Sequence, residues 1–183
     1  MKIKKFSKTQ LWKRPGAVTI LSILLLTGLF VCYVSGLITS SGTALATPSE
    51  GFTSTVVGPT RFDEIDVETR TGNYEARITT NGLSDVYIVT NRVVPGGQSG
   101  WHTHPGPSVV SVKSGTATVY SGDDPNCTPQ FYHAGTGFID EGGGSVHLVR
   151  NEGNVELELV AFQVIPLGTQ RRIDAPYPHN CPF

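Results

Sequence analysis

The stretch WHTHPGPSVVSVKSG (Trp101–Gly115) decides the fold, because two histidines one residue apart stand just before a strand-like run that ends in glycine. On a strand, residues two apart point to the same face, so His102 and His104 can both turn their imidazoles into a barrel. Neutral imidazole is the commonest protein ligand for transition metals. The stretch therefore predicts a metal site near a barrel mouth, although an exposed edge strand could carry the same pair.

A second segment that contains a histidine, GTGFIDEGGGSVHLVRN (Gly135–Asn151), lies further along the chain. Its glycine-rich turn leads to His147, and Asn151 follows four residues later. Together the two segments resemble the two motifs of the cupin family. In the first motif, the spacing of Gly96, the two histidines and Gly115 agrees with the family pattern.

The sequence departs from that pattern at three places, one of which is the leading glycine of the second motif (Gly135 or Gly137), which is one residue out of place. Ser108 occupies the position of the motif glutamate, and three glycines (142–144) replace the usual Pro-x-Gly turn. The resemblance is close over residues 92–151, and it implies an all-β, double-sheet jelly-roll barrel. It also implies that Asn151 supports the fold near the site. The metal ligands that it implies are His102, His104 and His147.

The serine leaves the predicted metal site without its usual acid. Three neutral imidazoles would leave a divalent ion with its full charge, which favours anionic ligands. Such sites also keep open positions where dioxygen and a substrate can bind side by side, and in the cupin family three-histidine iron sites are associated with thiol dioxygenases. Ser108 is expected to point inward and hold a water molecule or substrate. Asp140 or Glu141 could swing in as a fourth ligand, but acids in turns usually face water.

Other side chains are expected to line or support the pocket. Besides Ser108 and Asn151, these are Gln98 and Tyr120. Trp101 is adjacent to His102 along a strand, so it is expected on the opposite face, either packed in the barrel or in contact with its rim.

Beyond the first 46 residues, the chain consists of short alternating runs punctuated by glycine, without sustained helical periodicity. Many short strands with glycine-rich turns predict a sandwich or a closed barrel. Pro95 and the two glycines after it are expected to end the first strand. The strand candidates are residues 85–94, 108–113, 116–120, 130–134, 145–149 and 155–164.

The N-terminus has the composition of a leader. The first 46 residues contain six basic residues and no acid, an apolar or small run from Ala17 to Ile38, and Ala44-Leu45-Ala46 before Thr47. This order is typical of a cleaved export signal, and an uncleaved membrane anchor is the alternative. We therefore expect a signal peptide or anchor over residues 1–46, a linker over 47–60 and a cupin barrel domain over 61–183.

The exported part is acidic and contains a pair of cysteines. Eight basic residues remain there against all 15 acids, a balance of about −7, so a nucleic-acid partner is not expected. Cys127 and Cys181 form an even pair, which predicts a disulfide in an oxidising compartment, with two free thiols as the alternative. These features favour a secreted or periplasmic protein, or a membrane-anchored one with its barrel outside.

The sequence thus predicts an exported single-domain cupin that binds one divalent transition metal ion and a small molecule. Iron is favoured, with zinc, copper, nickel and manganese as alternatives, and the use that we expect is a dioxygenase-like oxidoreductase. A non-catalytic module that binds or senses a small anion or sugar is the alternative, and a metal-free isomerase or structural barrel is a third. The membrane would be contacted only through an uncleaved N-terminus, and a homodimer is left open.

Overall fold

The computed structural model describes residues 45–183, and in this part of the chain every regular element is a strand. The predicted leader lies outside the described residues, except for Leu45 and Ala46. No helix in the described part is long and apolar enough to cross a membrane. The strands are β1 (Glu50–Phe62), β2 (Asp66–Thr71), β3 (Tyr74–Thr79), β4 (Ser84–Gln98), β5 (His102–Thr103), β6 (Ser108–Ser114), β7 (Thr116–Ser121), β8 (Gln130–His133), β9 (Gly137–Asp140), β10 (His147–Arg150), β11 (Leu157–Pro166) and β12 (Ile173–Asp174).

Ten of these strands form one antiparallel sheet that is nearly closed into a barrel. One half has the order β1-β4-β11-β6-β9, and the other has the order β12-β5-β10-β7-β8. The halves join where Gln98 of β4 pairs with Arg150 of β10. Buried side chains of β4, β6 and β11 pack in a single core with those of β7 and β10. The all-β prediction is confirmed, and the arrangement is that of a jelly roll.

Alternation along the strands determines which side chains enter the barrel. In β6, Ser108, Val110 and Val112 are buried, and the residues between them are exposed. In β11, Leu159 and Ala161 are buried as well. Residues two apart share a face of a strand. The inward-facing side chains of one strand therefore form the apolar core along part of its length and line the predicted site along the rest.

The predicted linker over residues 47–60 is wrong. Most of this segment belongs to β1, which pairs with β4 along nearly its whole length. Its residues are small, polar and largely exposed, and this composition resembles that of a loop. The long pairing with β4 supplies its backbone hydrogen bonds, so strand formation here depends on a partner that is distant in sequence. The barrel therefore starts before Arg61.

Two other boundaries also differ from the prediction. Strand β4 continues through Pro95 to Gln98 and does not end at the proline. Residues 66–79 form the separate hairpin β2–β3, which lies outside the barrel sheet.

A second, smaller core holds the C-terminal segment against the barrel. Trp101, which is 2% exposed, packs there with Tyr120 and Leu148 of the barrel and with Ala175 and Cys181 of the tail. The packing predicted for Trp101 is thus confirmed. The structure also contains the predicted disulfide, since Cys127 and Cys181 are bonded with their Cα atoms 5.1 Å apart.

Candidate metal centre

The three histidines of the two motifs lie together at one end of the barrel interior. His102 in β5 and His147 in β10 are direct cross-strand partners, and His104 follows β5 immediately. All three are buried, and a ring nitrogen of each lies within 4.8 Å of those of the other two. Sequence spacing accounts for His102 and His104, whereas the pairing of β5 with β10 brings in His147.

A backbone carbonyl oxygen lies next to Nδ1 of each of the three rings, at the longest distance (3.4 Å, from Ser145) for His147. Nδ1 of His102 lies 2.9 Å from the carbonyl oxygen of Gly100, and Nδ1 of His104 lies 2.7 Å from that of Arg171. A carbonyl only accepts, so each Nδ1 carries the hydrogen and each Nε2 keeps its lone pair. A hydrogen bond from Nδ1 to a carbonyl oxygen is typical of metal-binding histidines, and it leaves the Nε2 atoms free for a metal ion.

The surroundings keep the three histidines neutral. Burial lowers the pKa of His102 well below its ordinary value of 6.5, and the charges of His147 and Arg172 add to the effect. Burial also lowers the pKa of His104 and of His147, although Asp140 opposes it in both cases. Only the neutral ring can ligate a metal ion. The donor set therefore fits a divalent transition metal ion at neutral pH.

These pKa shifts predict how the stability of the metal-free protein depends on pH. Below about pH 6.5, the unfolded chain binds more protons at these histidines than the folded chain does, so the free energy of unfolding falls as the pH is lowered. Urea unfolding at pH 7, 6 and 5 with a chelator present measures this decline. His102→Ala should make it shallower, whereas His133→Ala, at an exposed histidine, should not. Equal slopes for the two variants would contradict the interpretation.

An acid does lie beside the histidines, on a strand that the sequence analysis did not identify. Asp140, the last residue of β9, is 8% exposed, and its Oδ2 is 3.3 Å from Nε2 of His104. Its Oδ1 accepts a hydrogen bond from the backbone N–H of Gly142 at 3.0 Å. Glu141 is exposed. The expectation that both acids would face water is therefore wrong for Asp140, because β9 pairs with β6 and turns this side chain inward.

The glycine-rich turn after Asp140 packs closely on the segment that carries His104. The N–H of Gly143 donates to the carbonyl oxygen of His104 at 2.8 Å. Gly142 has a φ of 67°, and a Cβ there would collide with the backbone of Gly106. Only glycine satisfies both conditions easily, so this turn holds the end of β9 against the histidine pair.

Three polar side chains form a row across neighbouring strands below the histidines. Ser108 of β6 is the direct partner of Gln163 in β11 on one side and of Asp140 in β9 on the other. The amide of Gln163 donates to Oγ of Ser108 at 2.9 Å. Ser108 is 1% exposed and lines the cavity, so its predicted inward orientation is confirmed.

Two arginines reach the cavity from the segment that precedes β12. Arg172 donates to Asp174 and to the carbonyl oxygen of Ser99. Arg171 donates to Oε1 of Gln163 at 3.1 Å, and within residues 45–183 it makes no ion pair with a carboxylate. Partial burial lowers the pKa of Arg171, and the neighbouring Arg172 contributes. Arg171 is thus a half-buried cation at the cavity wall.

The cavity between these groups is small and has two kinds of wall. The histidines, Ser108, Asp140 and the arginines form its polar part, whereas its apolar part consists of Phe52, Val89, Val110, Phe138, Val149, Leu159 and Ala161. Its volume of about 60 Å³ admits a few water molecules or a ligand of a few atoms.

The other predicted pocket residues have different surroundings. Gln98 does not line the cavity and instead lies at the junction of the two sheet halves. Tyr120 belongs to the second core, and its hydroxyl donates to Glu152 at 2.9 Å. Tyr120 nevertheless also lines a neighbouring depression together with Asp140 and His147, so the roles expected for Gln98 and Tyr120 at the site stay predictions. Asn151 is 1% exposed, and its side-chain amide donates to the carbonyl oxygens of Val93 and Val155, as expected for a residue that supports the fold.

From the sequence, Asp140 was expected to face water and Gln163 was not considered, although the alternation of strand residues indicates that both side chains point inward. Asp140 is two residues from Phe138, which packs on the core, and Gln163 is two residues from Ala161. Residues two apart share a strand face, so both side chains could have been placed inside. No comparable signal exists for Arg171 and Arg172, which lie in a loop outside the motifs.

The central part of the chain matches a known family. Residues 90–163 match the family described as Cupin domain. This segment contains all three histidines and the row of polar side chains formed by Ser108, Asp140 and Gln163. The chain contains a cupin domain. Outside this segment, the cupin domain is extended by β1 on one side and by the disulfide-bonded tail on the other.

Solved structures with similar folds include proteins of known and unknown function. An uncharacterized conserved protein with a double-stranded β-helix domain from Klebsiella pneumoniae is 23% identical, with a TM-score of 0.42 over 65% of this chain and 84% of that chain. A conserved protein of unknown function from Streptococcus pyogenes is 16% identical, with a TM-score of 0.39 over 59% of this chain and 76% of that chain.

An oxalate oxidase in complex with the substrate analogue glycolate is also similar in fold. It is 23% identical, with a TM-score of 0.37, and the match covers 43% of this cupin and 41% of the oxalate oxidase chain. No curated protein sequence matches this cupin.

Proposed function

We propose that this protein is an exported cupin oxidoreductase that oxidises a small anionic substrate with dioxygen. One divalent transition metal ion, iron in the first place, would be held by the three histidines. The observation that carries the proposal is the buried, neutral cluster of these histidines at the wall of a cavity that also contains Arg171. A metal ion bound there supplies Lewis acidity and, in the case of iron, redox chemistry with dioxygen.

Arg171 supports an anionic substrate. A half-buried guanidinium without a carboxylate partner in the described residues is a ready site for a carboxylate. Gln163 holds the guanidinium in position through its Oε1, whereas the charge of Arg172 is already balanced by Asp174. We infer that Arg171 binds and orients the anion beside the histidines.

The apolar wall supports a reaction that excludes water. Val110, Leu159 and Ala161 cover the side of the cavity that faces the core, so a substrate held by Arg171 would lie against aliphatic carbon. Electrostatic interactions strengthen in such surroundings. The small cavity favours a small substrate, such as a short carboxylic acid that carries a thiol or an enediol.

The location that we propose is outside the cytoplasm. Structural disulfides persist in oxidising compartments and are rare in the cytosol, and the bond between Cys127 and Cys181 is therefore in agreement with export. The basic and apolar leader of the sequence would direct the chain there, with either cleavage or anchoring as the outcome.

Oxygen uptake separates this enzyme from the alternative, a non-catalytic binding cupin. Purified protein would be loaded with Fe²⁺ and offered short carboxylates that carry a thiol or an enediol, with iron-free protein as the control. Uptake that depends on both iron and substrate is the expected result. Binding of the same compounds by calorimetry, without any oxygen uptake, would instead establish a binding module.

Replacing Arg171 is expected to weaken the interaction with anionic compounds. A hydrogen bond to a charged group contributes about 1.5–3 kcal/mol, so Arg171→Gln should raise the KM or Kd of the carboxylate about 10- to 100-fold. Arg171→Lys, which keeps the positive charge, should weaken binding of the carboxylate less. The amide of an active compound, which lacks the negative charge, provides the second control and should be insensitive to both variants. If Arg171→Gln lowered the affinity for the acid and for its amide by the same factor, Arg171 would be ruled out as the anion site.

A further inference from the structure

We propose that Asp140 is a fourth protein ligand of the metal site, so that strand β9 supplies the carboxylate that Ser108 lacks. The inference depends on the metal site of the proposed function and adds a ligand to it. The site would then be a three-histidine, one-carboxylate centre with its acid relocated to the neighbouring strand.

The pairing of β6 with β9 makes this relocation feasible. Ser108 and Asp140 are direct cross-strand partners. Directly opposed residues of an antiparallel pair have Cβ atoms about 4.5–5.5 Å apart on the same face. A carboxylate on residue 140 therefore reaches the region that a longer acid on residue 108 would occupy.

The orientation of the carboxylate leaves one oxygen available for a cation. Oδ1 is occupied by the N–H of Gly142. Oδ2 is fully buried and has no hydrogen-bond donor among residues 45–183. An unpartnered buried carboxylate oxygen is costly, and it points to a cation that the polypeptide itself does not provide.

The group that faces Oδ2 is also an acceptor. Nδ1 of His104 donates to the carbonyl oxygen of Arg171, so Nε2 presents its lone pair to Oδ2 at 3.3 Å. Two acceptors at this distance repel each other unless a cation lies between them. The same arrangement is expected on one metal ion, where neighbouring ligands with bonds of about 2.1 Å lie about 3.0–3.4 Å apart.

The carboxylate also lies within reach of a second histidine. Oδ1 of Asp140 is 3.7 Å from Nδ1 of His147, so the acid is next to both motifs of the site. As a ligand, it would lower the charge of a divalent site by one. Attraction of an anionic substrate would then depend mainly on Arg171.

Zinc affinity in matched variants tests the assignment. Asp140→Asn keeps an oxygen for the N–H of Gly142 but removes the negative charge, and it should weaken Zn²⁺ binding about 10- to 100-fold, as measured by competition with a chelator. Adding Ser108→Glu to this variant returns a carboxylate to the row and should restore most of the affinity. Ser108→Gln in the same background, which matches the size without the charge, should not.

Infrared difference spectra of the wild type provide a readout that does not depend on a variant folding. Addition of Zn²⁺ should shift the stretching bands of one carboxylate, and in Asp140→Asn this shift should be absent. Wild-type zinc affinity in Asp140→Asn, equal rescue by Ser108→Gln and Ser108→Glu, or an unshifted wild-type spectrum would each overturn the assignment. If Asp140→Asn binds zinc with wild-type affinity while His147→Ala loses zinc binding, only the fourth ligand fails. No zinc binding by the wild type would overturn the metal site itself.

Discussion

His147→Ala is expected to reduce bound metal from about one ion per chain to a trace. The imidazole of His147 is the only donor in the histidine cluster that comes from the second motif, and its cross-strand partner is His102. Its removal takes away one of the three imidazoles, and the ion also loses its link between strands β5 and β10. The weakened site should release its ion when the protein is purified in the presence of a chelator.

Elemental analysis of purified protein, after separate exposure to iron, zinc, copper and nickel, measures this loss. His133→Ala is the matched control, because His133 is an exposed histidine on β8 and its replacement should leave the metal content unchanged. Equal metal in wild type and His147→Ala would exclude the three histidines as the metal site. Absence of metal from the wild type under all four conditions would do the same.

Removal of the disulfide is expected to have the largest effect on stability. The bond between Cys127 and Cys181 closes a segment with a sequence separation of 54, for which the chain-entropy relation gives about 4 kcal/mol. The double variant Cys127→Ser/Cys181→Ser should therefore unfold at a clearly lower urea concentration, with a Tm lower by about 10 °C. Wild type under reducing conditions should behave in the same way.

Two measurements decide whether the bond has this role. Peptide mass spectrometry without reduction should find the two cysteines linked, and urea unfolding should separate the oxidised wild type from both reduced forms. Free thiols in the exported protein, or superimposable unfolding curves, would contradict the prediction. The serine double variant is a suitable control for reduction because it preserves side-chain size without a thiol.

The parts of the fold that the sequence predicts are those with strong local patterns. The runs that became β4, β6, β7 and β11 alternate or are rich in β-branched residues, and their existence was predicted with errors mainly at the ends. Strand β1 was missed because its exposed small residues and its Gly58-Pro59 step resemble a linker, although its threonines and valines favour a strand. Its stability comes from β4, a partner more than twenty residues away.

The same distinction separates the predicted from the unpredicted parts of the site. The His-x-His pair is encoded by spacing along one strand, and the second motif identifies His147 through its turn. Asp140 depends on register between β6 and β9, which linear spacing does not reveal. Arg171 depends on where a loop crosses the barrel end. Gln98 lies where the two halves of the sheet join, a position that depends on the pairing of β4 with β10 and not on local sequence.

The position of the two arginines has a consequence for how the protein matures. They belong to the segment just before β12, near the end of the chain, whereas the histidines lie 24 or more residues earlier. A chain that emerges N-terminus first, as in export, thus presents its histidines before the wall that contains Arg171 and Arg172 exists. The cavity is completed only when the tail docks on Trp101 and Cys181 bonds to Cys127. All the proposed metal ligands therefore precede the anion-binding wall along the chain, so the metal site would be assembled before the substrate cavity is complete.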